Sequence, residues 1–270
     1  VVFFAALMAA SYHLGIVQPI VRLLARLFHQ TLGLSGAESL AGGSNVFVGV
    51  ESAMVVRPYL ARMTRSELLT LMTCGMSTVA ATTLVLYVLF LRDTFPLIAG
   101  HLVSASVMSI PAAAMVSKLI LPEMDQPATL GRVPDGQVGD PQPNTLAALM
   151  TGSSDGLRMA AGIAALLIAV LGVVALVDLA LTTVTTPLAG ALDGPLDLSR
   201  ILGWLFMPLA WLLGIEGADL QDAARILGAR TVLTEIVAYQ QLAEIASNQQ
   251  VSARTIVILS YALCGFAHLA

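Results

Sequence analysis

The chain has 270 residues, of which 57% are hydrophobic and only 11% are charged, with a formal net charge of -4 and a mean hydropathy of +0.85. A soluble domain carries roughly 25% charged residues, so this composition indicates an integral membrane protein. The small, dispersed charge argues against a nucleic-acid partner. The apolar runs lack the alternation typical of a β-barrel, and we therefore predict an all-α membrane protein.

The first half of the chain predicts three membrane elements. Residues 1–32 form an apolar run that predicts one transmembrane helix. A polar, glycine-rich stretch follows, and its two apolar arms are too short to cross roughly 30 Å of hydrocarbon, which is typical of a re-entrant hairpin. Two spans, 68–91 and 95–121, then complete a segment that covers residues 33–121.

The second half repeats this pattern. A linker rich in proline, glycine and aspartate, residues 122–154, leads into a long span over 155–186. Residues 187–270 contain a second interrupted hairpin and the start of a broken helix. Counting crossings places the two hairpins on opposite faces, so the fold class predicted is an inverted-repeat transporter with two re-entrant helical hairpins and broken transmembrane helices. Both ends lie inside apolar runs without a start signal, and we expect a piece of a longer protein, truncated at both ends.

Two carboxylates occupy equivalent places in the two predicted hairpins, Glu51 and Glu235. An ionised carboxylate at membrane depth costs roughly 2.5 to 3.5 kcal/mol, so it is retained mainly beside partners or in a wet cavity. Each has an ordinary alternative: Glu51 pairs with Arg57 at the interface, and Glu235 pairs with Arg230. If both meet at the centre of the repeat, they suit a neutral polyhydroxyl ligand or a cation.

A third feature is a set of neutral oxygen donors, Asn45, Ser77 and Thr78, within apolar surroundings. Amide, hydroxyl and carbonyl oxygens at a helix break suit a small, hard cation. Serine and threonine in membrane helices more often bond to the backbone or to a neighbouring helix, and this alternative stays open at this point.

Several motifs, in the same order, resemble the concentrative nucleoside transporter family over nearly the whole chain. They are GAESLAGGSNVFVGVESAMVVRPYL, MTRSELLTLMTCGMSTVAATTLVLY, LGARTVLTEIVAY and YALCGFAHLA. The resemblance implies a bacterial, multi-pass protein of the inner membrane that is not an enzyme. It further implies a homotrimer in membrane lipid that takes up nucleosides with sodium by an elevator mechanism. Residues 1–32 and 155–186 would form the scaffold, and residues 33–121 and 187–270 the transport domain.

The resemblance also implies roles for individual residues. The sodium site would comprise Asn45, the Val48 carbonyl, Ser77, Thr78 and the Val79 carbonyl. The nucleobase end of the substrate site would be lined by Val50, Glu51 and Thr82. The ribose end would be held by Glu235, Phe266 and His268.

The substrate residues depart from the family pattern. The usual Gly-Gln-Thr-Glu of the first hairpin is one residue shorter here, Gly49-Val50-Glu51, and a histidine, His268, replaces the asparagine expected at the ribose. We therefore expect a nucleoside or a related ribosylated compound. Two alternatives remain: proton coupling through the two carboxylates and His268, which titrates near neutral pH, and a non-transporting nucleoside-sensing module of the same fold.

Overall fold

The structure is a computed structural model that describes residues 2–49, 52–131, 142–186 and 196–265. These residues form helices without any strand in the described ranges, and the predicted all-α class is confirmed. The helices are α1 (Val2–His13), α2 (Val17–Leu32), α3 (Gly36–Val48), α4 (Ser52–Val55), a 3₁₀ helix (Arg57–Arg62), α5 (Arg65–Ser77), α6 (Ala81–Leu91), α7 (Ile98–Ile120), α8 (Thr145–Thr185), α9 (Leu198–Leu212), α10 (Leu220–Val232), α11 (Glu235–Ser247) and α12 (Ala253–Ala262).

Two described helices, α7 and α8, are long and apolar enough to cross a membrane. The 23 residues of α7 correspond to about 35 Å at 1.5 Å per residue, which exceeds the hydrocarbon thickness of roughly 30 Å. The pair α1 and α2 adds a third candidate if it is counted as one span. The protein is therefore a multi-pass membrane protein.

Two predicted continuous helices are interrupted in the structure. The predicted single helix over 1–32 consists of α1 and α2, which are bent by 79°. Gly15 lies at this bend with a φ of +77°, a left-handed conformation that glycine adopts without steric cost. The predicted span 68–91 is likewise divided into α5 and α6 by a non-helical segment at 78–80, in which Thr78 is extended.

Contacts divide the chain into two compact units. The first comprises Val1–Leu86 and Val103–Ala160, and the second Tyr87–Leu102 and Ala161–Ala270. The division into scaffold and transport domains expected from the family resemblance stays a prediction.

In the first unit, α8 packs closely on α1 through two glycines four residues apart, Gly152 and Gly156. A Cβ atom built on Gly152 would lie 2.6 Å from Ala9 Cβ, and one built on Gly156 would lie 2.7 Å from Ala5 Cβ. Small residues at this spacing allow helix backbones to approach each other closely in a membrane.

The starts of α3 and α5 are held by capping boxes. Ser35 and Glu38 cap α3 reciprocally, and Thr64 and Glu67 cap α5 in the same way. Both glutamates are buried, and the Lys118 Nζ atom lies 2.7 Å from Glu38 Oε1. These contacts anchor the two helices whose opposite ends carry the candidate ion site.

The second unit contains the second interrupted hairpin. Helices α10 and α11 pack against each other on either side of a break at Leu233 and Thr234. Helix α9 packs on α10 so closely that a Cβ atom on Gly228 would lie 2.6 Å from Leu202 Cβ. That either hairpin enters and leaves the membrane on the same face stays a prediction.

Candidate functional site

The predicted sodium residues lie where two helix breaks meet in the first unit. Helix α3 ends at Val48, and Gly49 follows with a φ of +71° and a ψ of -142°. A Cβ atom on Gly49 would lie 3.0 Å from the backbone nitrogen of Ala80, in the break between α5 and α6. The absence of a side chain at Gly49 therefore allows the end of α3 to contact the segment that contains Thr78 and Val79.

Asn45 is at the centre of the hydrogen bonds in this region, and it is fully buried. Its side-chain amide donates to the Cys74 carbonyl. Its Oδ1 atom accepts a hydrogen bond from Ser52 Oγ at 3.3 Å. The Thr78 hydroxyl lies 3.5 Å from the Asn45 carbonyl oxygen, and the Ser77 hydroxyl donates to the Cys74 carbonyl at 2.9 Å. The structure thus brings three of the predicted sodium residues, Asn45, Ser77 and Thr78, into one cluster.

The chemistry of this cluster suits a small monovalent cation. Its polar groups are amide, hydroxyl and backbone carbonyl oxygens, which are hard ligands without net charge. These groups do not titrate between pH 5 and 8. Val79 is fully buried beside Thr78, and the backbone of Val48 ends α3 at the same break.

Glu235 occupies the corresponding break in the second unit. It is the first residue of α11 and is only 4% exposed. Thr234 caps this helix, since its side chain accepts a hydrogen bond from the backbone N–H of Val237. A carboxylate in the first turn of a helix is stabilised by the partial positive charge there. The hydroxyl of Tyr87, on α6, donates to Glu235 Oε1 at 3.2 Å.

Arg230, the alternative partner predicted for Glu235, makes hydrogen bonds to backbone carbonyls, and its pairing with Glu235 stays a prediction. Its two terminal guanidinium nitrogens donate to the carbonyls of Ala262 and Gly265 at the end of α12. A guanidinium can satisfy carbonyls that lose their helical partners where a helix ends. Arg230 thus ties α10 to the end of α12.

The structure does not describe the side chains of the five other residues predicted to bind the substrate. Val50, Glu51, Phe266 and His268 lie outside the described residues. Thr82 belongs to α6, although its side chain is not described. Their assignment to the substrate site stays a prediction.

The structure adds one polar neighbour of Glu235 that sequence reasoning missed, Tyr87. It lies in the apolar run LVLYVLFL, 148 residues before Glu235, and no spacing or motif in the sequence pointed to the contact. Ser52 was visible as a polar residue in the first hairpin, but its bond to Asn45 was not predictable.

Two family models match the chain. Residues 101–270 match the model described as "Na+ dependent nucleoside transporter C-terminus", and residues 1–94 match one described as "Nucleoside recognition".

Curated relatives match over essentially the full chain. Rat solute carrier family 28 member 3 is 37% identical over 284 residues, covering 99% of this chain and 39% of the relative. The uncharacterized transporter YutK of Bacillus subtilis is 37% identical over 277 residues, covering 99% of this chain and 64% of the relative. Rat sodium/nucleoside cotransporter 2 is 33% identical over 288 residues, covering the whole chain and 42% of the relative. The chain thus spans from 39% to 64% of the length of these relatives.

Solved structures of CNTnw resemble the fold. CNTnw in an inward-facing, substrate-bound state matches with a TM-score of 0.87 and 33% identity, covering 99% of this chain and 62% of that one. A CNTnw variant in an outward-facing state matches with a TM-score of 0.85 and 32% identity, covering 99% of this chain and 61% of that one.

Proposed function

The chain belongs to the sodium-dependent nucleoside transporter family, and we propose that it forms the core of a symporter that carries nucleosides with sodium into a bacterial cell. The family resemblance predicted from the motifs is confirmed by this membership. The proposal places the protein in the inner membrane, as a homotrimer surrounded by lipid, and gives it no enzymatic activity.

The observation that carries the proposal is the cluster around Asn45. Two helix breaks meet there, and the buried amide is held by Ser52 and by the Cys74 carbonyl. Sodium, as the co-transported ion, would bind to oxygens of Asn45, Ser77 and Thr78 and to the carbonyls of Val48 and Val79. Because these ligands are neutral and do not titrate near pH 7, they favour a metal cation over a proton as the coupling ion.

Glu235 is the proposed anchor for the ribose of the substrate. A carboxylate oxygen accepts hydrogen bonds from sugar hydroxyls, and a charged acceptor makes these bonds stronger than a neutral one does. The position of Glu235 at a buried helix start supports this role. Phe266 and His268 would complete the ribose end, and Val50, Glu51 and Thr82 the nucleobase end.

An elevator movement of residues 33–121 and 187–270 against the scaffold is the proposed route across the membrane. The support is by analogy, since CNTnw has been solved in inward-facing, intermediate and outward-facing states. A fixed set of ligands that moves with its helices would keep ion and nucleoside bound throughout the crossing.

Uptake by the complete protein in proteoliposomes tests the proposal. Labelled uridine and adenosine are supplied under an inward sodium gradient, an equal choline gradient, or a pH gradient. We expect accumulation only with sodium. Accumulation driven by the pH gradient would favour the proton-coupled alternative. Binding of nucleoside without accumulation under any gradient would favour the sensing module.

A pair of matched variants then tests the ribose anchor. We expect Glu235→Gln to abolish nucleoside binding while the trimer stays intact. Glu244→Gln serves as the control, because Glu244 is an exposed carboxylate on the same helix. Normal uptake by Glu235→Gln would contradict the ribose role.

A further inference from the structure

Tyr87 approaches α11 through two residues that lie one helical turn apart, Glu235 and Tyr239. Its ring stacks on the ring of Tyr239, with centroids 4.1 Å apart and planes inclined by 13°. Its hydroxyl reaches Glu235 Oε1 at 3.2 Å. Residues at positions i and i+4 share one face of a helix, so a single side chain from α6 contacts both.

Burial, the ring stack and the hydrogen bond together restrict the orientation of Tyr87. Both tyrosine rings are fully buried. The hydroxyl of Tyr239 is itself held, since it donates to the Ser260 carbonyl on α12 at 2.8 Å. A tyrosine has only two side-chain torsions, and a buried, stacked ring leaves its hydroxyl little choice of direction.

A glutamate side chain has three torsions and needs such a constraint to act as a precise acceptor. A ligand gains affinity when the group that receives it is already oriented, because less conformational freedom is lost on binding. Glu235 is buried at the start of a helix beside a break, and the Tyr87 hydroxyl reaches its carboxylate there.

We propose that Tyr87 is a positioning residue of the nucleoside site, whose hydroxyl holds the Glu235 carboxylate in the orientation that receives a ribose hydroxyl. The inference rests on the proposed function of Glu235. Tyr87, on α6, would then contribute to ribose selectivity through Glu235 and would not itself contact the substrate.

The variant Tyr87→Phe removes the hydroxyl and keeps the ring that stacks on Tyr239. Without the Tyr87 hydroxyl, the Glu235 side chain must be ordered when the ligand binds, and ordering one flexible side chain lowers an affinity by up to about tenfold. We therefore expect Tyr87→Phe to weaken uridine binding by up to about tenfold. The control is Tyr239→Phe, which also removes one buried hydroxyl from the same stack, but one that bonds to Ser260.

Deoxy analogues separate positioning from general destabilisation. Binding of uridine, 2′-deoxyuridine and 3′-deoxyuridine to the complete protein is measured by calorimetry at saturating sodium. If Tyr87 acts through Glu235, the effect of Tyr87→Phe shrinks for the analogue that lacks the hydroxyl bound by Glu235. Tyr239→Phe should change the affinity for all three ligands by the same factor, if at all.

The outcomes distinguish this inference from the proposed function. Where uridine does not bind, adenosine and its 2′- and 3′-deoxy analogues take its place. If the wild type binds neither series, the proposed function is wrong, and the role of Tyr87 with it. If the wild type binds them, and Tyr87→Phe either leaves all three affinities unchanged or lowers all three by the same factor, only the role of Tyr87 is wrong.

A second variant guards against a folding defect in Tyr87→Phe. It carries 3,5-difluorotyrosine at position 87, which keeps the shape of the side chain and makes its hydroxyl a stronger donor. We compare the affinity for uridine with that for the deoxyuridine that lacks the hydroxyl bound by Glu235. We expect the ratio of these two affinities to differ from the wild-type ratio. A ratio equal to that of the wild type would overturn the proposal.

Discussion

Gly49 and Ala80 are in contact although they belong to two different helix breaks. A Cβ atom on Gly49 would lie 3.0 Å from the Ala80 nitrogen and 3.1 Å from the Ala80 Cβ atom. This contact joins the end of α3 to the segment between α5 and α6, and thereby brings Asn45 to Thr78.

The first prediction concerns Gly49→Ala. A φ of +71° with a ψ of -142° is accessible almost only to glycine, and forcing another residue into it costs about 1–3 kcal/mol. The new methyl group would also displace Ala80. We expect the sodium concentration for half-maximal nucleoside binding to rise about fivefold or more, equivalent to about 1 kcal/mol.

Gly33→Ala is the matched control for strain alone. Gly33 also has a positive φ, +65°, but a Cβ atom there would meet nothing within 4 Å. We expect a loss of thermal stability without a change in sodium dependence. An equal shift of sodium dependence in both variants would contradict the importance of the contact with Ala80.

The second prediction concerns Ser52→Ala. Ser52 is buried and donates to Asn45 Oδ1, so the substitution leaves the amide less firmly oriented. One hydrogen bond contributes about 1 kcal/mol, which sets the upper limit of this effect, and we expect sodium affinity to fall by up to about fivefold. The sodium affinity is measured by following uridine binding while the sodium concentration is varied.

Ser44→Ala provides the comparison, because Ser44 is also buried but bonds to Leu40 within its own helix at 2.8 Å. Its sodium affinity should equal that of the wild type. Unchanged sodium affinity in Ser52→Ala would remove Ser52 from the description of the ion site.

The third prediction concerns packing of the second hairpin. In Gly228→Ala, the added Cβ atom would lie 2.6 Å from Leu202 Cβ and 3.0 Å from the Leu202 carbonyl carbon. Helices α9 and α10 must separate, at a cost of about 1–3 kcal/mol. We expect a lower Tm in detergent.

For this third case Gly172→Ala is the control, since a Cβ atom on Gly172, inside α8, meets nothing within 4 Å. Alanine favours a helix over glycine by about 1 kcal/mol, so the Tm should stay or rise. A fall in Tm of the same size in both variants would show that the effect is not one of close packing.

The fourth prediction concerns pH and Asp219, in the turn before α10. Burial alone would raise the pKa of this carboxyl, but hydrogen bonds from the Thr255 hydroxyl and from Ser252 outweigh burial and hold the pKa below its usual value. The folded-state pKa is then lower than that of the unfolded chain, about 3.9. The ionised Asp219 carboxylate therefore contributes to stability above about pH 3.9, and this contribution is lost as the pH falls through the folded-state pKa.

We expect Asp219→Asn to lower the Tm at pH 7, and the difference from the wild type to narrow as the pH falls below about 4. Thermal unfolding between pH 3 and 7 measures the difference. Asp222→Asn, in the first turn of the same helix, is the control. If the difference in Tm between Asp219→Asn and the wild type does not depend on pH, the ionised Asp219 carboxylate is not the source of the stability.

Composition and local sequence determined much of the architecture. The apolar runs predicted membrane helices such as α7 and α8, because hydrocarbon leaves the backbone no partners except its own. The ordered motifs predicted the family, and the three neutral donors Asn45, Ser77 and Thr78 were recognised as one set. The first re-entrant hairpin stays a prediction, made because its two apolar arms are too short to cross the membrane.

Tertiary contacts decided the rest. The break at 78–80 contains neither glycine nor proline, so local propensity gave no reason to interrupt the predicted span. Helix α2 could have continued α1 by hydropathy, but it bends away to pack on α3. Tyr87 reads as one more apolar residue until α11 brings Glu235 to its hydroxyl. Hydrophobic pattern specifies which residues are buried, whereas the partner of a buried polar group depends on the packing of segments far apart in the chain, and only the folded structure determines it.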